Sequence, residues 1–434
     1  MNSKFEILKK DSKFLWHPFT QIKNNNKPII IESAKNEILQ DIDGNEYIDL
    51  ISSWWINTHG HCRIEIINSV FKQSKKLEQV LFAGFTHEPA VDLAEKIIEL
   101  LPKGLSRIFY SDNGSTSVEI AMKVAIQFWF NKGERKNKFV AFNGGYHGDT
   151  FGAMSVGRSS GFYKPFEDML NMTYFIPFPE DWRGNNQLQR NEKIAKDSAH
   201  KIIKNHKKEI AAVIIEPLIQ GAFGMRMCRK EFCSELVEMF KEAGILVIFD
   251  EVMTGFGRTG KMFATDHLSV EPDIICLAKS LTGGFIPLAV TVFNEYIHNE
   301  FINKDINKSF LHGHTFSANP IACSAALSSL SLFEKDKTFD KIKNISQIHK
   351  QFSDELSKNS FISKIRTLGS ILAFDYSKIS PEYGSHQSLE IKKQFMDQGL
   401  LIRPIGNSIY LMPPYCISKK NLIKSYEKII EILK

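Results

Sequence analysis

Two charged residues close apolar runs in this chain, and their types suit one particular chemistry. The run 245–249 ends on Asp250, and the run 274–278 ends on Lys279. Parallel strands of an α/β sheet would release both at the carboxyl edge, where such folds bind ligands. A carboxylate and an amine presented together there suit a pyridine-aldehyde cofactor. The amine condenses with the aldehyde, and the carboxylate keeps the ring nitrogen protonated. Taken singly, a strand-end Asp is an ordinary helix cap and a Lys an ordinary surface charge. Here Lys279 interrupts an apolar run and precedes Ser280, Thr282, Gly283 and Gly284, the makings of a tight, accessible loop. The pair therefore predicts a site for pyridoxal 5'-phosphate (PLP).

A competing reading lies between the two charges. Gly255-Phe256-Gly257-Arg258-Thr259-Gly260 fits the GxGxxG dinucleotide fingerprint, with Glu271 following, and would make the chain an NAD-dependent oxidoreductase. Three features oppose it. Asp250 and Glu251 stand between the strand and the glycines and would repel a pyrophosphate. Arg258 and Lys261 crowd the turn, and no long amphipathic helix follows to supply a dipole.

PLP also needs a phosphate cradle and a ring partner. Ser111-Asp112-Asn113-Gly114-Ser115-Thr116 ends one strand and opens a helix, so backbone N–H groups and the helix dipole would attract a phosphate at Gly114 and Ser115. The same residues would also satisfy a plain N-cap. Gly144-Gly145-Tyr146-His147-Gly148-Asp149 follows another strand, and an aromatic ring on so glycine-rich a turn can stack on a pyridine. His147 has no role assigned beyond hydrogen bonding within that turn. Glu216, at the end of the 211–215 run, would either pair with an arginine or cap backbone.

The elements that must position these groups alternate in type. Strand candidates at 107–111, 139–142, 211–215, 245–249 and 274–278 are separated by helix-length segments, which predicts a mostly parallel sheet with helices on both faces. The helix beginning near Ser115 carries Val118, Ala121, Met122, Ala125, Phe128 and Trp129 at helical spacing and stops at Gly133. Residues 28–50 look like a meander with a turn at Asp43-Gly44-Asn45. Residues 181–210 are polar, a loop leading into an exposed helix. After about 330 come helices, strand runs at 371–375 and 409–412, and a final helix from 419. The expected division is a segment 1–63 belonging to a small domain, a large domain 64–328 and the small domain's main part, 329–434.

With 434 residues, 43% apolar and 24% charged, the composition is that of an ordinary globular chain. The net charge of +6 is interleaved with acidic residues, without the concentrated stripe that nucleic acid requires. Six scattered cysteines (62, 228, 233, 276, 323 and 416) complete no zinc spacing, so no metal is expected. Without an apolar signal core or a membrane-length run, the expected location is the cytoplasm.

The 245–284 block resembles the signature of the class III, fold-type-I PLP aminotransferases. Trp16-His17-Pro18-Phe19-Thr20, Ser52-Ser53-Trp54-Trp55, 143–154, His312-Gly313-His314-Thr315-Phe316, Arg403-Pro404 and 410–415 (YLMPPY) narrow the resemblance to its biotin-pathway branch, which aminates 8-amino-7-oxononanoate. The resemblance implies a large domain built on a seven-stranded-type sheet plus a smaller α+β domain. It implies Lys279 as the lysine that binds PLP, Asp250 against the pyridine nitrogen, Gly114 and Ser115 on the phosphate, and Tyr146 on the ring. His314 and Thr315 would reach the phosphate in a neighbouring subunit, which implies a homodimer with shared sites. Phe19, Trp54 and Gly313 would line the substrate pocket, and Arg403 would hold the substrate carboxylate. Two positions depart from the best-known pattern, which has Tyr at Phe19 and Pro at His314. Both resemble relatives that take the amino group from lysine, whereas the Trp54–Trp55 pair points to S-adenosyl-L-methionine. Another ω-aminotransferase of the same class is the nearest alternative.

Overall fold

Between residues 105 and 294 the chain builds a seven-stranded sheet from short apolar strands. The computed structural model describes residues 3–21, 23, 27–159, 161–170 and 172–434. The strands are β1 (Leu105–Ser111), β2 (Lys138–Phe142), β3 (Thr173–Ile176), β4 (Ile210–Ile215), β5 (Leu246–Asp250), β6 (Ile274–Leu277) and β7 (Ala289–Asn294), in the order β1-β7-β6-β5-β4-β2-β3. β7 runs antiparallel to both neighbours, and the remaining pairs are parallel. β4, β5 and β6 are buried at every position, which is why they read as unbroken apolar runs and not as alternating ones.

Five strands were expected, and β3 and β7 were not. β3 is a short edge strand of mixed polarity, TYFI. β7 returns antiparallel soon after Lys279, so no crossover helix announces it.

Helix α1 (Gly114–Asn131) follows β1, capped by Asn113, whose side chain accepts from the Thr116 N–H while Thr116 reaches back to the Asn113 N–H. Val118, Ala121, Met122, Ala125 and Phe128 bury its inner face against β4, β6 and β7. α1 ends before Gly133, whose φ of +82° only glycine adopts readily. The polar stretch 181–210 holds the helix Leu188–His206.

The meander is present as Ile31–Lys35, Ile38–Asp41 and Glu46–Asp49, and Leu400–Leu401 adds a parallel fourth strand from the far end of the chain. Ile362–Leu368, Ile371–Tyr376 and Ser408–Leu411 form a separate antiparallel sheet beneath the helices Thr338–Leu356 and Lys419–Ile432. One apolar core runs unbroken from Phe249 and Phe256 through Phe333 and Tyr415 to Phe374. Among the described residues no helix is long and apolar enough to cross a membrane.

Candidate active site

A cavity of about 770 Å³ opens at the carboxyl edge of the sheet, lined by Asp112, Tyr146, Glu216, Asp250 and Lys279 from five different strand ends. Asp250 is buried between two donors: Val252 N–H reaches Oδ1 at 3.0 Å and His147 Nδ1 lies 2.7 Å from Oδ2. Burial alone would pull the His147 imidazole down. The hydrogen bond and charge of Asp250, helped by Glu216, outweigh it and raise its pKa above the ordinary value. The hydrogen bond holds the imidazole against the carboxylate.

Lys279 occupies the strand-end position its sequence suggested, with φ of +39°, in the left-handed region that a side chain ordinarily avoids. Its Nζ makes no hydrogen bond or ion pair with the described residues and stands 4.9 Å from the Trp55 ring centroid. Burial lowers its pKa, against the pull of Asp250 and Glu216.

Glu216 accepts from Tyr146 N–H at 3.0 Å and Gly221 N–H at 3.1 Å, so it ties two turns together and, among the described residues, pairs with no arginine. Burial pushes its carboxyl up to about 7, with Asp250 adding to the shift. The Tyr146 hydroxyl donates to Asp149 at 2.9 Å, which holds the ring at the cavity wall.

At the phosphate end, a Cβ on Gly114 would come within 2.6 Å of Val252, and one on Gly148 within 2.2 Å of Ser115 Oγ. Both positions therefore require glycine. The first N–H groups of a helix have no intrahelical partner; Asn113 takes that of Thr116, while Gly114 and Ser115 line the cavity. The Ser115 hydroxyl lies 2.7 Å from that of Thr150. An amine without a polar partner among the described residues, a carboxylate held by an imidazole, an aromatic wall and a glycine-bounded helix start fit PLP.

The outer end comes from distant parts of the chain. Phe19 and Trp54 meet edge to face at 5.6 Å, and Arg403 sits 4.6 Å from the Trp54 ring centroid. Phe162 and Tyr383, which the sequence did not suggest, complete this wall; they lie in segments without period or motif. The Trp54 segment is strained: Ser52, Ser53 and Trp55 have φ of 51°, 59° and 67°. The buried carboxylate of Asp49 accepts from Ser53 N–H at 2.7 Å and Ile51 N–H at 3.2 Å and meets His61 at 3.0 Å.

Arg258, from the glycine-rich motif, is fully buried and supports the same segment. It donates to Ser52 Oγ and to the carbonyls of Trp55 and Asn57 at 3.2 Å each. A Cβ on Gly257 would lie 2.7 Å from Ile342, and one on Gly369 2.3 Å from Gly260 N. These glycines serve close interior packing and leave no room for a pyrophosphate, so the dinucleotide reading fails. Glu251 likewise accepts from Ala264 and Thr265 N–H groups at 2.6 and 2.7 Å and organises the loop.

Gly313, His314 and Thr315 lie outside this cavity. Thr315 is exposed, its carbonyl accepting from Gln79 Nε2 at 2.8 Å, and His314 Nδ1 accepts from Phe316 N–H at 3.2 Å.

This sheet, with a lysine and a carboxylate delivered by neighbouring parallel strands, is the framework of an α/β aminotransferase. The chain belongs to the class-III aminotransferases, whose family model matches residues 20–433. It is 43% identical over 419 residues to the adenosylmethionine-8-amino-7-oxononanoate aminotransferase of Synechococcus elongatus, covering 96% of this chain and 98% of that one. It is 38% identical over 436 residues to the enzyme of that name from Staphylococcus aureus, covering 97% and 96%. The crystal structure of the Methanocaldococcus jannaschii enzyme of the same name superposes with a TM-score of 0.92 at 34% identity, over 99% of each chain. A PLP-bound amine transaminase from an uncultivated Pseudomonas species gives 0.91 at 29% identity, over 97% of this chain and 98% of that one.

Proposed function

We propose that the chain transfers an amino group from S-adenosyl-L-methionine to the ketone of 8-amino-7-oxononanoate, giving 7,8-diaminononanoate for biotin biosynthesis in the cytoplasm. The observation that carries this reading is the near full-length likeness to relatives of that name. Arg403 supports it, because a planar guanidinium at the cavity's far end, without a carboxylate partner among the described residues, suits an acid-bearing substrate.

Lys279, Asp250, Gly114, Ser115 and Tyr146 would hold PLP. When bound, the cofactor supplies an electron sink that acidifies a carbon-bound proton of the donor. Lys279 is the group that takes up and returns that proton, since burial favours its neutral form. Asp250, fixed by His147 and the Val252 N–H, would keep the pyridine nitrogen protonated. Phe19, Trp54 and Tyr146 line the alkyl path, and Arg403 fixes the substrate carboxylate. His314, half-buried, and Thr315, exposed, both outside the cavity, would meet the phosphate of a second copy, with Gly313 beside its substrate, in a homodimer with shared sites.

Lysine is the second donor reading, favoured by Phe19, whose ring offers no hydroxyl to the substrate, and by His314 in place of proline. Absorption spectra of the purified protein test both. A band near ~420 nm is expected from lysine-linked PLP. S-adenosyl-L-methionine should bleach it and 8-amino-7-oxononanoate restore it. Bleaching by lysine alone would reassign the donor, and a band that neither donor moves would place the chain with another class-III activity.

A further inference from the structure

Arg403 makes one side-chain hydrogen bond among the described residues: Nη2 donates to the hydroxyl of Tyr383. Lys392, on the helix His386–Asp397, is close enough for the Arg403 charge to add to the effect of burial in lowering its pKa, and it has no ion pair among the described residues. Two neighbouring cations without a counter-charge are relieved by an anion. The phenol oxygen of Tyr383 already accepts from the guanidinium, so its own proton is left to donate, and the adjoining positive charge makes it a stronger donor.

Tyr383 is also held in place. Its ring meets Phe162 edge to face at 4.9 Å and Phe19 at 6.3 Å. Its loop is pressed against Gly406, where an added Cβ would lie 2.3 Å from the Pro381 carbonyl oxygen. The hydroxyl therefore has a fixed place on the cavity wall beside Arg403.

We propose that Tyr383 is a specificity-determining residue, its hydroxyl acting with Arg403 as the second donor to a carboxylate at the far end of the acceptor. This rests on the reading of Arg403 given under Proposed function. The test compares wild type with Tyr383→Phe on 8-amino-7-oxononanoate and on its methyl ester, at saturating donor. The ring and its packing survive the substitution. The expected result is a rise of about tenfold in KM for the acid, as for losing a hydrogen bond to a charged group. KM for the ester and kcat for both should stay unchanged. Acid and ester moving together would show a merely structural residue and overturn the proposal, as would no change in either.

Should wild type leave the oxononanoate untouched, the functional reading fails by itself. Tyr383 is then tested by inhibition of the donor half-reaction with octanoate against octanol. A preference for octanoate that falls about tenfold in Tyr383→Phe supports the proposal, and an unchanged preference overturns it.

Discussion

The two ends of the cavity are built differently. At the inner end every group sits at the end of a parallel strand or the start of α1, fixed by backbone that the sheet already orders. At the outer end Phe19, Trp54, Phe162, Tyr383 and Arg403 come from five loops or chain ends and depend on one another's rings and on buried anchors such as Asp49. Regular elements hold the part that a common chemistry needs. Adaptable loops hold the part that chooses a substrate.

Substitutions at each end should therefore fail in different ways. The largest effect is expected for Lys279→Ala, which removes the proton-transfer group: turnover should fall by at least about 10³-fold while the fold is retained. Steady-state rates with far-ultraviolet dichroism measure both, and substantial residual turnover would erase the distinction at its strongest point. Arg403→Ala should lower acceptor kcat/KM by about 10²-fold and leave the donor half-reaction intact. Stopped-flow traces of the two half-reactions separate these, and a donor step equally slowed would join the ends that the geometry separates.

Asp49→Ala should sharpen the comparison without touching the cavity. It leaves the Ser53 and Ile51 N–H groups buried without their acceptor, so unfolding free energy should drop by about 2 kcal/mol. Acceptor KM should rise as the Trp54 segment loosens, while the cofactor band stays. Urea unfolding and titration with acceptor test the two halves.

The smallest effect concerns Glu216 at the inner end. Its folded pKa, about 7, lies above the ordinary carboxyl value. Its contribution to stability is therefore full below the unfolded pKa and is lost as pH rises through about 7. In Glu216→Gln that loss disappears, so the stability of the variant relative to wild type should improve by about 1–3 kcal/mol between pH 5 and pH 8. Denaturation at the two pH values reads the difference, and parallel curves would show that the carboxyl is not buried as described.

How much of this was legible follows the same division. β4, β5 and β6 read plainly as apolar runs because both their faces are buried. Asp250 and Lys279 stood out as a pair, a carboxylate and an amine closing two apolar runs at one sheet edge. β7 was missed because an antiparallel return needs no intervening helix. The GxGxxG motif misled because glycines required by close packing cannot be told by spacing from glycines required by a phosphate. Arg258 looked like a charge crowding a loop, yet it is the buried donor that supports the Trp54 segment some 200 residues earlier.

The sequence by itself determined the alternation of strands and helices, the glycine-bounded start of α1 and the two charges at the sheet edge, since each depends on neighbours close along the chain. Only the tertiary structure decided that His147 would hold Asp250, that Glu216 would tie two turns and not pair with an arginine, and that Tyr383 would share a wall with Arg403 and Phe19. Those contacts join segments far apart in sequence, and their geometry is set by how the packed core closes, which no local pattern records.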